Sequence, residues 1–161
     1  MTLPGQAARK RVADALLVFV VAALCLGWNA GAPPLAGTEG HRAITAHQML
    51  QNGNWLVPRL YDMVYLTKPP LMYWILAGAE ALAGRANEWV WRLPSVLGAA
   101  GLAAFLCAVA NRWWKRPAGL VAGFSYLSLA ALWSQSRSAD IPALHTPSAT
   151  IAAVALVALH R

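Results

Sequence analysis

The chain has 161 residues, of which 58% are hydrophobic and 12% are charged. A soluble globular protein carries roughly 25% charged residues, because polar groups must cover its surface. This composition excludes a soluble enzyme domain, a disordered tail and a free-standing nucleic-acid-binding protein. It predicts an integral membrane protein, so the formal net charge of +7 has to be interpreted by position along the chain.

Four apolar stretches predict membrane-spanning helices, because a helix needs about 20 apolar residues to cross a bilayer. They are Ala15 to Gly31, Leu93 to Ala110, Ala118 to Trp133, and Ile141 to Leu159. A fifth stretch, Pro70 to Gly84, is shorter and contains Glu80. We interpret it as a helix in the outer interface and not as a span.

Two basic clusters set the predicted orientation, because Lys and Arg accumulate on the cytoplasmic side. Arg9 to Arg11 precede the first stretch, and Arg112, Lys115 and Arg116 follow the second. Both clusters face the cytoplasm if Pro70 to Gly84 does not span. The first stretch also resembles a signal peptide, but the spans that follow favour an uncleaved helix.

The predicted fold class is therefore an all-α integral membrane protein with about four transmembrane helices. Its long external loop should contain amphipathic juxtamembrane helices. In chain order the segments are a cytoplasmic N-terminus at 1–12, a helix at 13–31, the external loop at 32–92, a helix at 93–110, a cytoplasmic loop at 111–117, a helix at 118–134, an external loop at 135–142 and a helix at 143–160.

The long external loop has enough aromatic and apolar residues to fold. Thr38 is expected to cap a helix that continues through Gln51, and Gly53-Asn54 should end it. Trp55 to Tyr65 is typical of an extended or hairpin-like segment. Lys68 precedes Pro69-Pro70, so its backbone is expected to be extended.

An ordered set of short motifs in this region resembles a known family. They are Gly-Thr-Glu-Gly-His-Arg-Ala at 37–43, Gly-Asn-Trp-Leu-Val-Pro-Arg at 53–59, Tyr-Leu-Thr-Lys-Pro-Pro-Leu at 65–71, Tyr-Trp at 73–74, Asn-Glu-Trp at 87–89 and Arg-Leu-Pro-Ser at 92–95. Their order and spacing resemble the N-terminal region of bacterial GT-C glycosyltransferases. This is the dolichyl-phosphate-mannose–protein mannosyltransferase-like group, which includes the lipid A aminoarabinose transferases. The resemblance covers roughly residues 13 to 160 and corresponds to the first third of such proteins.

The resemblance implies a membrane glycosyltransferase, or its N-terminal fragment, that inverts the anomeric carbon. Such an enzyme moves a sugar from a polyprenyl-phosphate carrier to a lipid, glycan or protein acceptor. It would lie in the bacterial cytoplasmic (inner) membrane as a multi-pass protein, with its active site facing the outside or periplasm. Its partners would be the bilayer, the lipid-linked sugar and the acceptor, with no role for nucleic acid.

The resemblance also implies two catalytic carboxylates, which we assign to Glu39 and Asp140. Thr38 stands where the family has its first acid, and Thr cannot accept a proton at neutral pH. An ungapped count puts the family's second-loop acid on Pro142, two residues after Asp140. The alternative role for Glu39 is that of an acid favoured by the helix dipole at a helix N-terminus.

Five further residues are expected to bind substrate. Lys68 matches the loop lysine that points at the carrier phosphate, where an ammonium group stabilises developing negative charge. Its alternative is a lysine that snorkels to the interface. The other four are Arg42 and Arg59, as phosphate or headgroup contacts, and Tyr65 and Tyr73, for which interfacial packing is the alternative.

No metal ligand is assigned, and a divalent-metal cofactor stays open. His145 lies near Asp140 in sequence, so one interpretation is a metal site with Asp140 or Glu39; the alternative is a structural role, which is more common for a lone His near a helix start. Cys25 and Cys107 lie in apolar runs and are interpreted as packing residues.

Two competing functions are considered. One is a catalytically incomplete remnant or binding module, because an acid is missing at Thr38. The other is a small polytopic transporter or scaffold subunit. A transporter site should place polar groups inside the spans, whereas the three longest apolar stretches contain no ionisable residue.

Overall fold

A computed structural model describes residues 4–61, 63–114 and 116–160, without the side chains of residues 4, 5 and 142–144. Lys115, part of the second basic cluster, lies outside the described residues. Seven helices and two short strands make up the described part. They are α1 (Pro4–Gly27), α2 (Thr38–Asn52), β1 (Arg59–Leu60), β2 (Met63–Val64), α3 (Leu71–Ala83), α4 (Glu88–Trp113), α5 (Arg116–Leu127), α6 (Ala130–Ser136) and α7 (Pro142–Leu159).

Helices α1, α4 and α5 pack into an apolar bundle with small side chains at its centre. Its core consists of residues that are fully buried, namely Val18, Ala22, Ala100, Ala103 and Cys107. Helices α1 and α4 run antiparallel, since Gly31 lies beside Trp89 and Gly27 lies beside Val96. Small residues let helix backbones approach closely, so α4 becomes the central helix of the fold.

Helices α2 and α3 form a second layer against the first turns of α4. Their shared core contains Ala46, Met72, Leu76, Ala77 and, from a distant loop, Ala139. Glu80 of α3 is also buried, and its carboxylate accepts a hydrogen bond from the Trp91 indole at 3.0 Å. His47 Nδ1 of α2 lies 2.5 Å from the other carboxylate oxygen. The acid that made this stretch a poor membrane span is thus bound inside the protein.

Several local predictions for residues 32–92 are confirmed. Helix α2 ends at Gly53, which has the left-handed conformation (φ 64°, ψ 9°) that favours glycine there. The hairpin is present as the antiparallel pair β1–β2, with Arg59 opposite Val64. One detail differs: Gly37 occupies the N-cap of α2 without a side-chain cap bond, and Thr38 is the first helical residue. The Thr38 hydroxyl points to a different partner, described below.

The ends of the helices differ from the predicted segments. Helix α1 begins at Pro4, so the helix continues through the basic cluster of the predicted N-terminal segment. Helix α4 begins at Glu88, five residues before the predicted start, because the Asn87 side chain accepts a hydrogen bond from the Val90 amide at 2.9 Å and caps it. The charged and polar residues at both boundaries are therefore helical.

The third apolar stretch also differs from the single helix predicted over 118–134. It forms α5 and α6, which are bent by 68° at the break. Leu129 is extended there (φ −71°, ψ 119°). The Ser128 hydroxyl donates to the Ser125 carbonyl at 2.7 Å, and the Trp133 indole donates to the Leu127 carbonyl at 2.9 Å. These side chains satisfy carbonyls that a continuous helix would bond internally, so the break is stable.

Helix α4 is long and apolar enough to cross a membrane, with a mean hydropathy of 2.0 over its most apolar window. Helices α5 and α6 meet the same criterion when taken together as a bent pair. The arrangement with four spans stays a prediction.

The close contact between α4 and α5 predicts the effect of one methyl group. A Cβ atom on Gly119 would lie 2.6 Å from the Cys107 carbonyl oxygen, and the α4 backbone cannot move away. We expect Gly119→Ala to destabilise the protein by about 1–3 kcal/mol, the usual cost of overpacking. Thermal unfolding of the purified chain in detergent measures this.

Gly101→Ala in α4 is the matched control, because a Cβ there meets nothing within 4 Å. That variant should keep or slightly raise the unfolding midpoint, since Ala favours a helix over Gly by about 1 kcal/mol. Equal midpoints for the two variants would contradict the close α4–α5 contact.

Candidate active site

The centre of the region between α1 and α4 is a buried ion pair between Glu39 in the first turn of α2 and Arg92 in the second turn of α4. Arg92 Nε donates to Glu39 Oε1 at 2.7 Å, and Arg92 Nη2 donates to Oε2 at 2.8 Å. The two side chains are 7% and 4% exposed. This two-point geometry is the strong form of an arginine–carboxylate contact.

Arg92 also binds the segment that joins α1 to α2. Its Nη1 donates to the carbonyls of Ala30 and Pro33, both at 2.7 Å, and its Nη2 donates to the Pro34 carbonyl at 3.1 Å. All of the guanidinium nitrogens therefore have acceptors, as a buried arginine requires. One side chain fixes α4, the α1–α2 segment and α2 relative to one another.

The Glu39 carboxylate has further donors besides Arg92. The Ala139 amide donates to Oε1 at 2.8 Å, and the Ala36 amide donates to Oε2 at 3.4 Å. Burial alone raises the pKa of Glu39, but the Arg92 and amide hydrogen bonds outweigh it and hold the pKa below its ordinary value of 4.5. Glu39 is therefore an ionised and fully bonded carboxylate at neutral pH.

The loop between α6 and α7 is anchored beside this pair by several contacts. The Ser95 hydroxyl of α4 donates to the Ser138 carbonyl at 2.7 Å, and Arg137 donates to the Trp28 carbonyl at 2.9 Å. The Ala139 side chain is fully buried against α2 and α3. These contacts place Asp140, the next residue, over the first turns of α2.

Asp140 meets two residues of α2 through both oxygens. Arg42 Nη2 lies 2.9 Å from Asp140 Oδ1, and the Thr38 hydroxyl donates to Oδ2 at 3.3 Å. The Ile141 amide donates to Oδ1 at 2.6 Å. The Asp140 side chain is 29% exposed, against 7% for Glu39. Of the two predicted catalytic carboxylates, Asp140 is the one that solvent or a ligand reaches.

Arg42, the partner of Asp140, and the nearby Tyr73 both carry buried donors without acceptors in the described part of the chain. Arg42 is 9% exposed in its side chain and Tyr73 is 1% exposed, and among the described residues neither Arg42 Nη1 nor the Tyr73 hydroxyl has a hydrogen-bond partner. Burial raises the pKa of Tyr73, while the charge of Arg42 acts on it in the opposite direction, so the hydroxyl keeps its proton at neutral pH. Buried donors normally have partners, and a ligand oxygen would supply one.

Aromatic rings border these donors. The Tyr65 ring lies 6.5 Å from that of Tyr73, and the His41 ring packs edge-on against Tyr65, also at 6.5 Å between centroids. The structure therefore brings together Asp140, Arg42, Tyr65 and Tyr73 of the predicted site. Arg59 lies half-buried on β1.

Lys68 is not part of that contact network. It is exposed in the segment between Tyr65 and α3, and it makes no hydrogen bond or ion pair with another described residue. A metal site finds no support in the described part of the chain, where no three His, Cys, Asp or Glu side chains come together. His145 is exposed.

Arg92 is the important residue to which sequence reasoning gave no role. It appeared only within the Arg-Leu-Pro-Ser motif. A charged residue at the start of a long apolar helix is costly unless it is paired, and that signal would have marked Arg92 as the partner of a buried acid.

Comparison with known proteins identifies the family to which this chain belongs. Residues 67–161 match the family described as dolichyl-phosphate-mannose-protein mannosyltransferase. The chain belongs to this family. The family predicted from the motifs is thereby confirmed.

Two of the bacterial relatives are both named as arabinosyl transferases. The chain is 31% identical, over 120 residues, to an undecaprenyl phosphate-alpha-4-amino-4-deoxy-L-arabinose arabinosyl transferase 2 of Pseudomonas fluorescens, covering 73% of this chain and 22% of the relative. It is 36% identical, over 91 residues, to the corresponding transferase of Pectobacterium carotovorum, covering 56% and 16%. The chain thus spans about a fifth of the length of these relatives. No solved structure matches it.

The buried ion pair predicts strong coupling between its two residues. Glu39→Gln leaves Arg92 as an uncompensated buried charge, so we expect it to cost about 3–5 kcal/mol of stability. The double variant Glu39→Gln with Arg92→Gln should lose much less than the sum of the single variants. Denaturant unfolding of all four proteins measures the coupling free energy, and additive losses would show that the pair is not coupled.

The same pair predicts an acid-sensitive stability. Because folding lowers the pKa of Glu39, its contribution to stability is fully present above the ordinary value of 4.5 and is lost as the pH falls through the lower folded value. Unfolding free energies measured between neutral pH and pH about 3 should fall more steeply for the wild type than for Glu39→Gln. Parallel curves would contradict this linkage.

Proposed function

We propose that this chain is part of a membrane glycosyltransferase that takes a sugar from a polyprenyl-phosphate carrier. The acceptor would be a lipid, glycan or protein on the external side of the bacterial cytoplasmic membrane. Membership of the mannosyltransferase family and the names of the relatives support the reaction class. The observation that carries the proposal is a partly exposed carboxylate, Asp140, paired with Arg42. Arg42 Nη1 and the nearby Tyr73 hydroxyl are buried donors without an acceptor among the described residues.

The proposed reaction uses these groups directly. The acceptor hydroxyl gives its proton to the Asp140 carboxylate while its oxygen attacks the anomeric carbon of the carrier-bound sugar. The bond between that carbon and the phosphate oxygen breaks, and the phosphate leaves with the electron pair. Attack from the face opposite the phosphate inverts the anomeric carbon.

Positive and neutral donors would stabilise the charge that develops on the leaving phosphate. Lys68 is exposed at a bend before α3, so its ammonium group can reach a ligand without breaking a hydrogen bond or ion pair with another described residue. Arg42 Nη1 and the Tyr73 hydroxyl need acceptors, which phosphate or sugar oxygens provide. Arg59 and Tyr65 are proposed to border the same ligand.

Within this proposal, Glu39 has a positioning role. Its carboxylate is occupied by Arg92 and by the Ala139 amide, and it is 7% exposed. Proton transfer to Glu39 would require these bonds to break. Through Ala139, the pair sets the position of Asp140, which takes the role of the catalytic carboxylate.

A second candidate function is a binding module without catalysis. The full occupation of Glu39 by Arg92, together with Thr38 in place of an acid, favours it. Such a protein would bind the lipid-linked sugar and not release the carrier phosphate. Binding and transfer therefore have to be measured separately.

The experiment compares matched variants in membranes that contain the encoded protein, using a labelled undecaprenyl-phosphate-linked aminoarabinose as donor. Donor binding and release of undecaprenyl phosphate are the two readouts. We expect Asp140→Asn to reduce release by about 100-fold or more, as loss of a general base does, with donor binding retained. Lys68→Gln should weaken donor binding, whereas Arg85→Gln, which removes another exposed cation of the external region, should not.

A compensating variant separates catalysis from folding. Thr38 Oγ1 lies 3.3 Å from Asp140 Oδ2, so Thr38→Asp combined with Asp140→Asn returns a carboxylate to the same place. Partial recovery of release supports Asp140 as the base. Full activity of Asp140→Asn alone would overturn that role, and binding without release in the wild type would establish the binding module.

A further inference from the structure

A second group of charged residues lies at the other end of α1 and α4, away from Glu39, Arg92 and the proposed sugar-binding residues. There Arg116 of α5 binds Asp14 of α1 through two hydrogen bonds, at 2.6 and 2.7 Å. Arg11 and Arg112 are exposed and make no hydrogen bond or ion pair with another described residue. Arg116 is thus neutralised by Asp14, whereas Arg11 and Arg112, which each line an apolar groove, are left to bind an anion.

The packing of α1 and α4 determines where these two arginines lie relative to each other. Arg11 of α1 and Ala108 of α4 both line the groove between these two helices, and Arg112 follows Ala108 by about one helical turn. The antiparallel packing of α1 and α4 thus brings Arg11 and Arg112 to the same end of the helix pair.

Two apolar grooves run along α4 and end at these arginines. Between α1 and α4, a groove of about 300 Å³ is lined by Val12, Leu16, Phe19, Ala104 and Ala108, with Arg11 at its end. Between α4 and α7, a groove of about 310 Å³ is lined by Phe105, Val109, Ile151, Val154 and Ala155, with Arg112 at its end. Arg112 lies one turn after Ala108, so it stands on the ridge between the grooves.

We propose that this surface binds an anionic phospholipid, with acyl chains in the two grooves and the headgroup phosphate between Arg11 and Arg112. The grooves match hydrocarbon chains because their walls are apolar, and the paired cations match a phosphate. A soluble anion would use the arginines and leave the grooves empty, so a lipid fits the whole surface. The inference rests on the proposed membrane location but not on the transferase activity.

The test measures lipid retained by the purified chain, using native mass spectrometry after extraction from membranes containing phosphatidylcholine and phosphatidylglycerol. The wild type should keep phosphatidylglycerol in preference to phosphatidylcholine. Arg11→Gln combined with Arg112→Gln should weaken that retention at least about tenfold, since each basic residue near an anionic headgroup contributes about 1 kcal/mol. Far-ultraviolet circular dichroism checks that the variant is folded.

The matched control is Arg9→Gln combined with Lys10→Gln, which removes the same charge from exposed residues that do not line either groove. It should retain the lipid. Equal loss in both double variants would show a diffuse charge effect and overturn the site, as would no loss in either. Ala108→Leu, which fills one groove and keeps both arginines, should also reduce retention.

A soluble anion provides the last comparison. Inorganic phosphate should not raise the thermal unfolding midpoint of the chain, whereas phosphatidylglycerol should. Stabilisation by phosphate equal to that by the lipid would overturn the assignment of a lipid. Sugar transfer is not needed for any of these readouts, so a failed transferase assay leaves the lipid result intact.

Discussion

The burial of Arg92 is the constraint on which the region between α1 and α4 depends. A buried guanidinium has to be neutralised and its donors have to find acceptors. Glu39 supplies the charge, and the carbonyls of Ala30, Pro33 and Pro34 supply the remaining acceptors. Because proline has no amide hydrogen, Pro33 and Pro34 disfavour a regular helix or strand in this segment. Their carbonyls are therefore available to accept hydrogen bonds from Arg92. The path of the segment between α1 and α2, and the position of the first turn of α2, therefore depend on the position of Arg92 in α4.

The same pair reaches a part of the chain that is distant in sequence. Glu39 accepts the Ala139 amide, which brings the loop before α7 against α2 and leaves Asp140 beside Thr38 and Arg42. Glu39 and Asp140 were both predicted to be catalytic carboxylates, but their surroundings in the structure differ. One is enclosed and holds the framework, while the other remains open at the surface. Burial and hydrogen bonding, not residue type, separate the two roles.

Sequence reasoning predicted much of the local structure, since its signals are short-range. Gly53 ends α2 and the run after it forms a hairpin, as turn chemistry and the hydrophobic pattern indicate. The family was also accessible from the order of its motifs. The break at Ser128–Leu129 was not, because Ser128 and Trp133 stabilise it through side-chain bonds that hydropathy does not register. The pairing of Glu39 with Arg92 joins residues 53 positions apart, and no periodicity reports such a contact.

This long separation also has a consequence for the order in which the chain is made. Synthesis delivers Glu39 53 residues before Arg92 and 100 residues before Ala139. Until α4 has emerged, the carboxylate has no counter-charge and must stay hydrated at the surface. The first turn of α2 therefore docks late, after α4 has formed. The carboxylate face of the proposed sugar site is completed last, when the loop before α7 arrives.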